Sequence, residues 1–387
     1  MKNIIILIFT SAITFQFIFG SANQIERKKD AADSIRTVTI SFVGDLMCHL
    51  PQLKFAQVSQ DSFDFKPVFS EVKKYLSYTD LTIGNLETTI AGKKSRYSGY
   101  PLFNSPDEYL EALNDAGFDI LLTANNHSLD RGKKGVLRTL EMIKKNRMES
   151  IGSYHSEQDR DSIRVFDING IKITILSYTY GLNGNYIANN EKFLVNVIDT
   201  ALMKQDILNA RNKNTDVILV YFHFGDEYQR KPNSFQKEII KLAIDYGADL
   251  IIGSHPHVIQ PVEYFSSNNN KIGNGLIAYS LGNFISNQRW RYSDTGVILN
   301  LTITKNICND KVSLTNTSIV PTWVFKGKVG NKDQFVILPV DSTTIKSFPS
   351  YLTERDKNKL LQSEKDTHKI MEAVHNHSNN LFNKKEK

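Results

Sequence analysis

An α/β protein with mixed sheets under helices is predicted by three features of this 387-residue chain. Short β-branched or apolar runs recur along it, segments with helix start and stop signals lie between several of them, and the last runs read as antiparallel additions. A hydrophobic content of 41% and a charged content of 23% fit a packed core and exclude a disordered chain.

The N-terminus stands apart from this pattern. Met1-Lys2-Asn3 is a short basic start, Ile4 to Phe19 carries no charge, and Gly20-Ser21-Ala22 supplies small residues for cleavage. Residues 1–22 therefore read as a secretory signal. The rival is an uncleaved anchor, since the apolar run approaches the roughly 18 residues that span a bilayer. No cysteine adjoins the small residues, which argues against a lipoprotein anchor. The expected location is the periplasm or cell envelope, membrane-anchored if the segment stays. Removing Lys2 takes the formal charge from +6 to +5, a modest excess compatible with anionic polymers or phosphates but equally with a scattered basic surface. Nucleic acid is not among the expected partners.

Residues 23–35 are polar and form a tether; the main domain is expected over 36–330. Its first strand is Thr37 to Val43, alternating and β-branched, stopping at Gly44. Further strands are expected at 81–83, 120–123, 171–176, 217–222, 250–252 and 276–279, short and apolar as buried strands are. Ser105-Pro106-Asp107-Glu108 reads as an N-cap, a proline in the first turn and a capping box, with Gly117 closing that helix. Helices are also expected over 132–146 and 234–246, the latter ending at Gly247. Runs near 296–304 and 311–320 complete the sheets. Residues 331–387 form a C-terminal extension with one strand at 334–338, one polar helix from about 351 to 374, and a frayed tail containing His375 and His377.

Two cysteines, Cys48 and Cys308, are too few for a disulfide scaffold and are expected as separate buried thiols. His155 follows no apolar run and is expected in a loop.

The residues after the strands carry the chemistry. Asp45 with His49 follows the first, Asn85 and Glu87 the second, Asn125-Asn126-His127 the third, His223 the fifth, His255-Pro256-His257 the sixth and Asn283 the seventh. Any one of them alone is an ordinary capping or turn residue. As a set at corresponding strand ends, where open α/β sheets bind ligands, they predict a metal site. Nitrogen and oxygen donors without thiolates suit Zn²⁺, Mn²⁺ or Fe and not Ca²⁺ or an iron–sulfur cluster.

Phe42-Val43-Gly44-Asp45, Gly84-Asn85-Leu86-Glu87-Thr88, Ala124-Asn125-Asn126-His127-Ser128-Leu129-Asp130, His223-Phe224-Gly225-Asp226-Glu227-Tyr228, Gly253-Ser254-His255-Pro256-His257 and Ser280-Leu281-Gly282-Asn283-Phe284 occur in that order. In these motifs the chain resembles the poly-γ-glutamate capsule biosynthesis (CapA-like) family, itself similar to calcineurin-like metallophosphoesterases. The resemblance covers about residues 38–290. It implies a four-layer αββα sandwich with two mixed sheets and a dinuclear site. Asp45 and His257 would bind the first metal, Glu87 would bridge, and Asn126, His223 and His255 would bind the second. His127 matches the residue that protonates the leaving group. His49 is carried as a further ligand, although it stands four residues after Asp45 where the phosphoesterases place a histidine two after. Glu87 also departs from the pattern, standing where they have aspartate.

The resulting expectation is an exported, metal-dependent hydrolase of the cell envelope acting on an anionic polymer, a phosphoester or a γ-glutamyl substrate, with membrane-bound polymer synthesis proteins as partners. The alternative is a polymer-binding, export or retention component that turns nothing over. A third reading is a periplasmic scavenger of nucleotides or phosphate esters. Arg230, Lys231, Arg289 and Arg291 are expected beside the site in either of the first two cases.

Overall fold

A computed structural model describes residues 34–374. The expected signal, residues 23–33 of the tether and the tail from His375 onward lie outside the described residues. Among the described residues, no helix is long and apolar enough to cross a membrane.

Two mixed sheets carry the fold. The larger runs in the order Lys332–Pro339, Lys311–Val329, Thr295–Asn306, Ile35–Leu46, Leu81–Leu86, Ile120–Leu122 and Glu149–Ile151, with Asn283–Ile285 pairing parallel to the end of Ile35–Leu46. The smaller runs Val262–Ser266, Asn274–Ala278, Leu250–Ser254, Val217–His223, Ile171–Thr179 and Phe166–Ile168. In the smaller sheet parallel pairs fill the middle and antiparallel strands close both edges; the larger is parallel from Ile35–Leu46 to its edge at Glu149–Ile151 and antiparallel on the other side.

Alternation along the strands builds the layers. Val38, Ile40, Phe42, Leu81 and Ile83 of the larger sheet share one core with Val217, Leu219, Tyr221, Leu250 and Ile252 of the smaller. The intervening residues face outward: Val43, Leu86 and Leu121 pack under the helix Glu108–Ala116, and Ile218, Val220 and Ile251 under Thr200–Asn212 and Ser234–Tyr246. Helix, sheet, sheet, helix is the four-layer order the resemblance implied.

The same alternation aims the polar strand ends. Asn85 and Glu87 continue the inward series of Leu81 and Ile83, His223 that of Val217 to Tyr221, and Ser254 that of Leu250 and Ile252. Asp45 joins them only through a bulge. Pairing passes from Val43↔Gly84 to Asp45↔Asn85, leaving Gly44 as an extra residue, so Asp45 takes the inward side and Leu46 returns to the outer core. Only glycine fits there, because a Cβ would lie 1.8 Å from the Gly282 carbonyl oxygen.

Some element ends differ from expectation. Asp107, not Ser105, occupies the N-cap of Glu108–Ala116, because the Pro106 carbonyl already accepts from Tyr109 N–H at 3.1 Å and the Ser105 hydroxyl is taken by Thr88 at 2.7 Å. Gly117 closes the helix in the left-handed region (φ 102°) as expected. Beyond residue 330, Lys332–Pro339 pairs with Lys311–Val329, so the larger sheet runs on into the C-terminal segment. The helix Glu354–Ile370 packs Leu360 against Trp323, Phe325 and Leu338. Both cysteines are free; Cys48 is buried, but Cys308 is exposed because it sits in the turn between two antiparallel strands.

Candidate metal centre

The inward strand ends meet in one buried cluster. Asp45 accepts from Asn85 Nδ2 at 2.8 Å and from the Ser254 hydroxyl at Oδ1, while its Oδ2 lies 3.0 Å from His257 Nδ1. His257 Nδ1 also lies 3.1 Å from Asn283 Oδ1, and the Asn283 amide nitrogen donates to the Gln288 side chain and the Ser293 carbonyl. Two oxygen acceptors at Nδ1 call for the proton there, which leaves the lone pair on Nε2, 3.8 Å from Glu87 Oε1. From the opposite side His223 Nε2 stands 3.7 Å from the same oxygen and 2.9 Å from Asn126 Oδ1.

His255 completes the group. Its ring packs against His223 at 4.7 Å and Tyr180 at 4.6 Å, and its Nδ1 has no hydrogen-bond partner. The backbone at His255 (φ 101°) and His257 (φ 57°) is left-handed, a conformation that L side chains rarely adopt and that places both imidazoles on the cluster. Tyr228 N–H pins the turn between them by donating to the Pro256 carbonyl at 2.7 Å.

Burial decides the charge states. It drives His223 well below the ordinary imidazole range and His255 to about 3, with neighbouring imidazoles adding to the effect, so both are neutral and have lone pairs to give. Burial alone would raise Asp45, but the hydrogen bond and charge of His257, with His223 and Ser254, hold it well below the usual carboxylate range. Burial and the charge of Asp45 push Glu87 far up.

Donor atoms fall into groups no wider than 4.8 Å: Asp45, Glu87 and His257 form one; Glu87, His223 and His255 another. Glu87 belongs to both. Its Oε1 has no hydrogen-bond partner, although it is fully buried between two imidazole nitrogens. A separation of 3.7–3.8 Å is too long for a hydrogen bond. It suits two ligand atoms each about 2.0–2.2 Å from one divalent ion. An orphaned carboxylate oxygen, an orphaned imidazole nitrogen and neutral histidines are what a nitrogen- and oxygen-liganded divalent metal requires, so the residues fit such a group.

His127 occupies the rim. Asp130 Oδ2 holds its Nδ1 at 2.8 Å and is itself fixed by Phe103 N–H at 2.7 Å; the Phe103 ring meets the imidazole edge-on at 4.7 Å. His49 also meets the Phe103 ring at right angles, at 5.1 Å, with its Nδ1 near Gln52 Oε1 at 3.2 Å and Asn287 N–H at 3.3 Å. It lies outside the donor groups found among the described residues, and burial lowers it to about 4.

The other expected ligands, Asp45, Glu87, Asn126, His223, His255 and His257, are brought together in the cluster. Sequence reasoning gave no role to Glu227, an exposed carboxylate grouped with His255 and His257, nor to Asp130 and Ser254. All three lie within the motifs, and strand parity was a usable signal for Ser254. Of the basic residues expected beside the site, Arg230, Arg289 and Arg291 face the C-terminal helix or its neighbours. Arg291 pairs with Asp366, Arg230 donates to the Asp366 carbonyl at 2.9 Å, Arg289 lies over Trp323, and Lys231 is exposed. His155 is exposed in a loop, as expected.

The family model described as bacterial capsule synthesis protein PGA_cap matches residues 39–288. The chain is 30% identical over 271 residues to the capsule biosynthesis protein CapA of Bacillus anthracis, covering 67% of this chain and 63% of that one. It is 27% identical over 297 residues to the PGA biosynthesis protein CapA of Bacillus subtilis (strain 168), covering 76% and 74%. The match thus spans somewhat under two thirds of the B. anthracis relative. Among solved structures, the calcineurin-like phosphoesterase YfkN of B. subtilis superposes with a TM-score of 0.43 at 14% identity, covering 86% of this chain and 98% of that one. The Haemophilus influenzae NAD nucleotidase (NadN) does so with 0.47 at 14%, covering 86% and 63%. With the motifs, their order and the match across most of the domain in agreement, the chain belongs to the bacterial capsule synthesis protein (PGA_cap) family.

Proposed function

We propose that this protein is an exported hydrolase dependent on two divalent transition metals, acting on an anionic envelope polymer of the poly-γ-glutamate type. The observation that carries this reading is the orphaned oxygen of Glu87, shared by two donor groups. Asp45, Glu87 and His257 would hold one ion and Glu87, His223, His255 and Asn126 the other; His49 stays a candidate for the periphery. Bound there, the ions supply an acidified water and a positive field for the anion that forms on attack.

The chain's own residues supply the rest. Asp130 fixes the His127 tautomer by accepting from Nδ1–H, so that His127 offers its other nitrogen for proton transfer to the leaving amine or oxygen. Asn283 and Asp45 orient His257 in the same way. The His127–Asp130 pair favours hydrolysis over polymer binding alone, since a carboxylate-held imidazole beside the donors contributes little to retaining an anion. Glu227, at the open side, is placed to order the incoming substrate or water.

Glu87→Gln tests the reading, because it keeps the volume and removes the shared charge. Elemental analysis should find two ions per wild-type chain and no more than one in the variant, and hydrolysis of γ-glutamyl peptides and phosphoesters should fall about 10²-fold or more. Wild-type protein that turns over nothing with any metal, while the variant still binds polymer, would reassign the chain to assembly.

A further inference from the structure

A second recess lies beyond the rim of the metal centre, between the loop that follows Ile285 and the helix Glu354–Ile370. It measures about 260 Å³, and Arg289, Trp290, Lys359 and Asp294 line it. Arg289 is the unusual member. Its Nε and Nη1 are buried without a hydrogen-bond partner, and among the described residues the carboxylates of Asp294 and Asp356 act on it through their charge without coming within salt-bridge distance. Its guanidinium lies over the Trp323 ring at 5.4 Å. Buried guanidinium donors left unmet are costly unless an acceptor visits them.

The acids nearby are already engaged. Asp366 is held by Arg291 at 2.9 and 3.0 Å, and Asp294 accepts from Trp323 Nε1 at 2.9 Å. Lys359 is half-buried at the same recess and forms no ion pair among the described residues. Arg289 and Lys359 both feel the charge of Asp294, but neither forms a direct ion pair among the described residues, and both stand beside the half-exposed indole of Trp290. A forked guanidinium with an ammonium and an apolar wall suits a carboxylate borne on an aliphatic chain.

The recess connects to the metal centre through aromatic contacts: His257 to Tyr228 at 6.1 Å and Tyr228 to Trp290 at 5.0 Å. We propose that this recess is a carboxylate-binding subsite in which Arg289 and Lys359 hold an acidic side group of a polymer whose scissile bond lies at the metal centre. The identity of the polymer rests on the proposed function; the anion site itself does not.

The two tryptophans of the chain, Trp290 and Trp323, both adjoin this recess, so intrinsic fluorescence reports on it. The experiment titrates glutarate and γ-linked glutamate oligomers of increasing length at constant ionic strength into wild type, Arg289→Gln, Arg289→Lys and Lys359→Gln. Glutarate should change the wild-type emission, and long oligomers should bind about tenfold more weakly to Arg289→Gln and Lys359→Gln. Dimers too short to leave the metal centre should be unaffected. Equal affinity of long oligomers for wild type and both glutamine variants overturns the subsite and leaves the polymer reading standing. A glutarate response that is lost in Lys359→Gln, without any oligomer binding, upholds the subsite and removes the polymer. Silence toward both ligands, or a larger response to inorganic phosphate than to glutarate, overturns the carboxylate assignment. Lys359→Gln, on the helix surface, keeps the test valid if Arg289→Gln folds poorly.

Discussion

Gly44→Ala is the most direct test of how the fold delivers Asp45 to the centre. The added methyl would lie 1.8 Å from the Gly282 carbonyl oxygen and 2.9 Å from its carbon, against rigid backbone on both counts. The two segments must part by roughly 1 Å to reach even a tight contact, and overpacking of that kind costs about 1–3 kcal/mol. The same movement stretches the 3.0 Å bond from Asp45 N–H to the Gly282 carbonyl beyond hydrogen-bonding reach. Losing it between buried groups costs about 1–3 kcal/mol more. The expected loss is therefore about 2–6 kcal/mol, a large share of the ~5–15 kcal/mol that a domain has. Gly84→Ala is the control, since its methyl would meet side-chain carbons of Phe118, Leu46 and Val43 at 2.7–3.0 Å, which can shift; about 1–2 kcal/mol is expected there. Urea unfolding of both variants with unchanged slope gives the comparison, and Gly44→Ala should also lose metal under conditions where it remains folded. A Gly44→Ala protein within 1 kcal/mol of wild type, or a costlier Gly84→Ala, would refute the argument that the bulge requires glycine.

His127→Ala should abolish hydrolysis by about 10²–10⁴-fold while leaving metal content near that of wild type; loss of metal would make it a ligand. Asp130→Asn should lower kcat with KM unchanged and shift the pH profile, which a purely structural partner of Phe103 would not do. Asp216, with its side chain 1% exposed, is bonded by Lys271 and Lys305; burial would raise it, but Lys172 N–H and those two lysines hold it below its ordinary value. A depressed carboxyl contributes stability above its unfolded value near 4 and loses it as pH falls through the folded value. Acid unfolding of wild type should therefore steepen below about pH 4, and Asp216→Asn should flatten that limb; an unchanged limb would place the acid sensitivity elsewhere.

Most of the layer order and most of the centre were legible because both follow from one periodicity. A strand that alternates Val217, Leu219 and Tyr221 toward a core must send His223 the same way, and the sequence displays that parity directly. Asp45 is the exception: strict alternation would have turned it outward with Val43, and only the paired register exposes the bulge at Gly44. The partners of the centre were harder to read. Asp130 and Glu227 are ordinary acids in sequence, and their roles depend on which loops meet in space. Ser105 had the composition of a cap, but the turn at Pro106 and a neighbouring threonine claimed its groups first. Cys308 was expected to be buried by residue type, whereas a hairpin turn exposes whatever it contains. The basic residues were expected beside the site; which acid engages Arg230 and Arg291 depends on where the helix Glu354–Ile370 packs, since Asp366 lies 136 and 75 residues further along the chain.

The left-handed backbone at His255 and His257 gives this centre a direction of decay. Each position holds an imidazole in a conformation that favours glycine or asparagine, at a cost on the order of 1–2 kcal/mol per residue. A lineage released from the need for the site would gain stability by replacing either histidine, so drift and selection for robustness would push the same way. Retaining both residues requires continuous selection on what they do. In copies of such a chain that have lost their chemistry, this turn is where the erosion should begin.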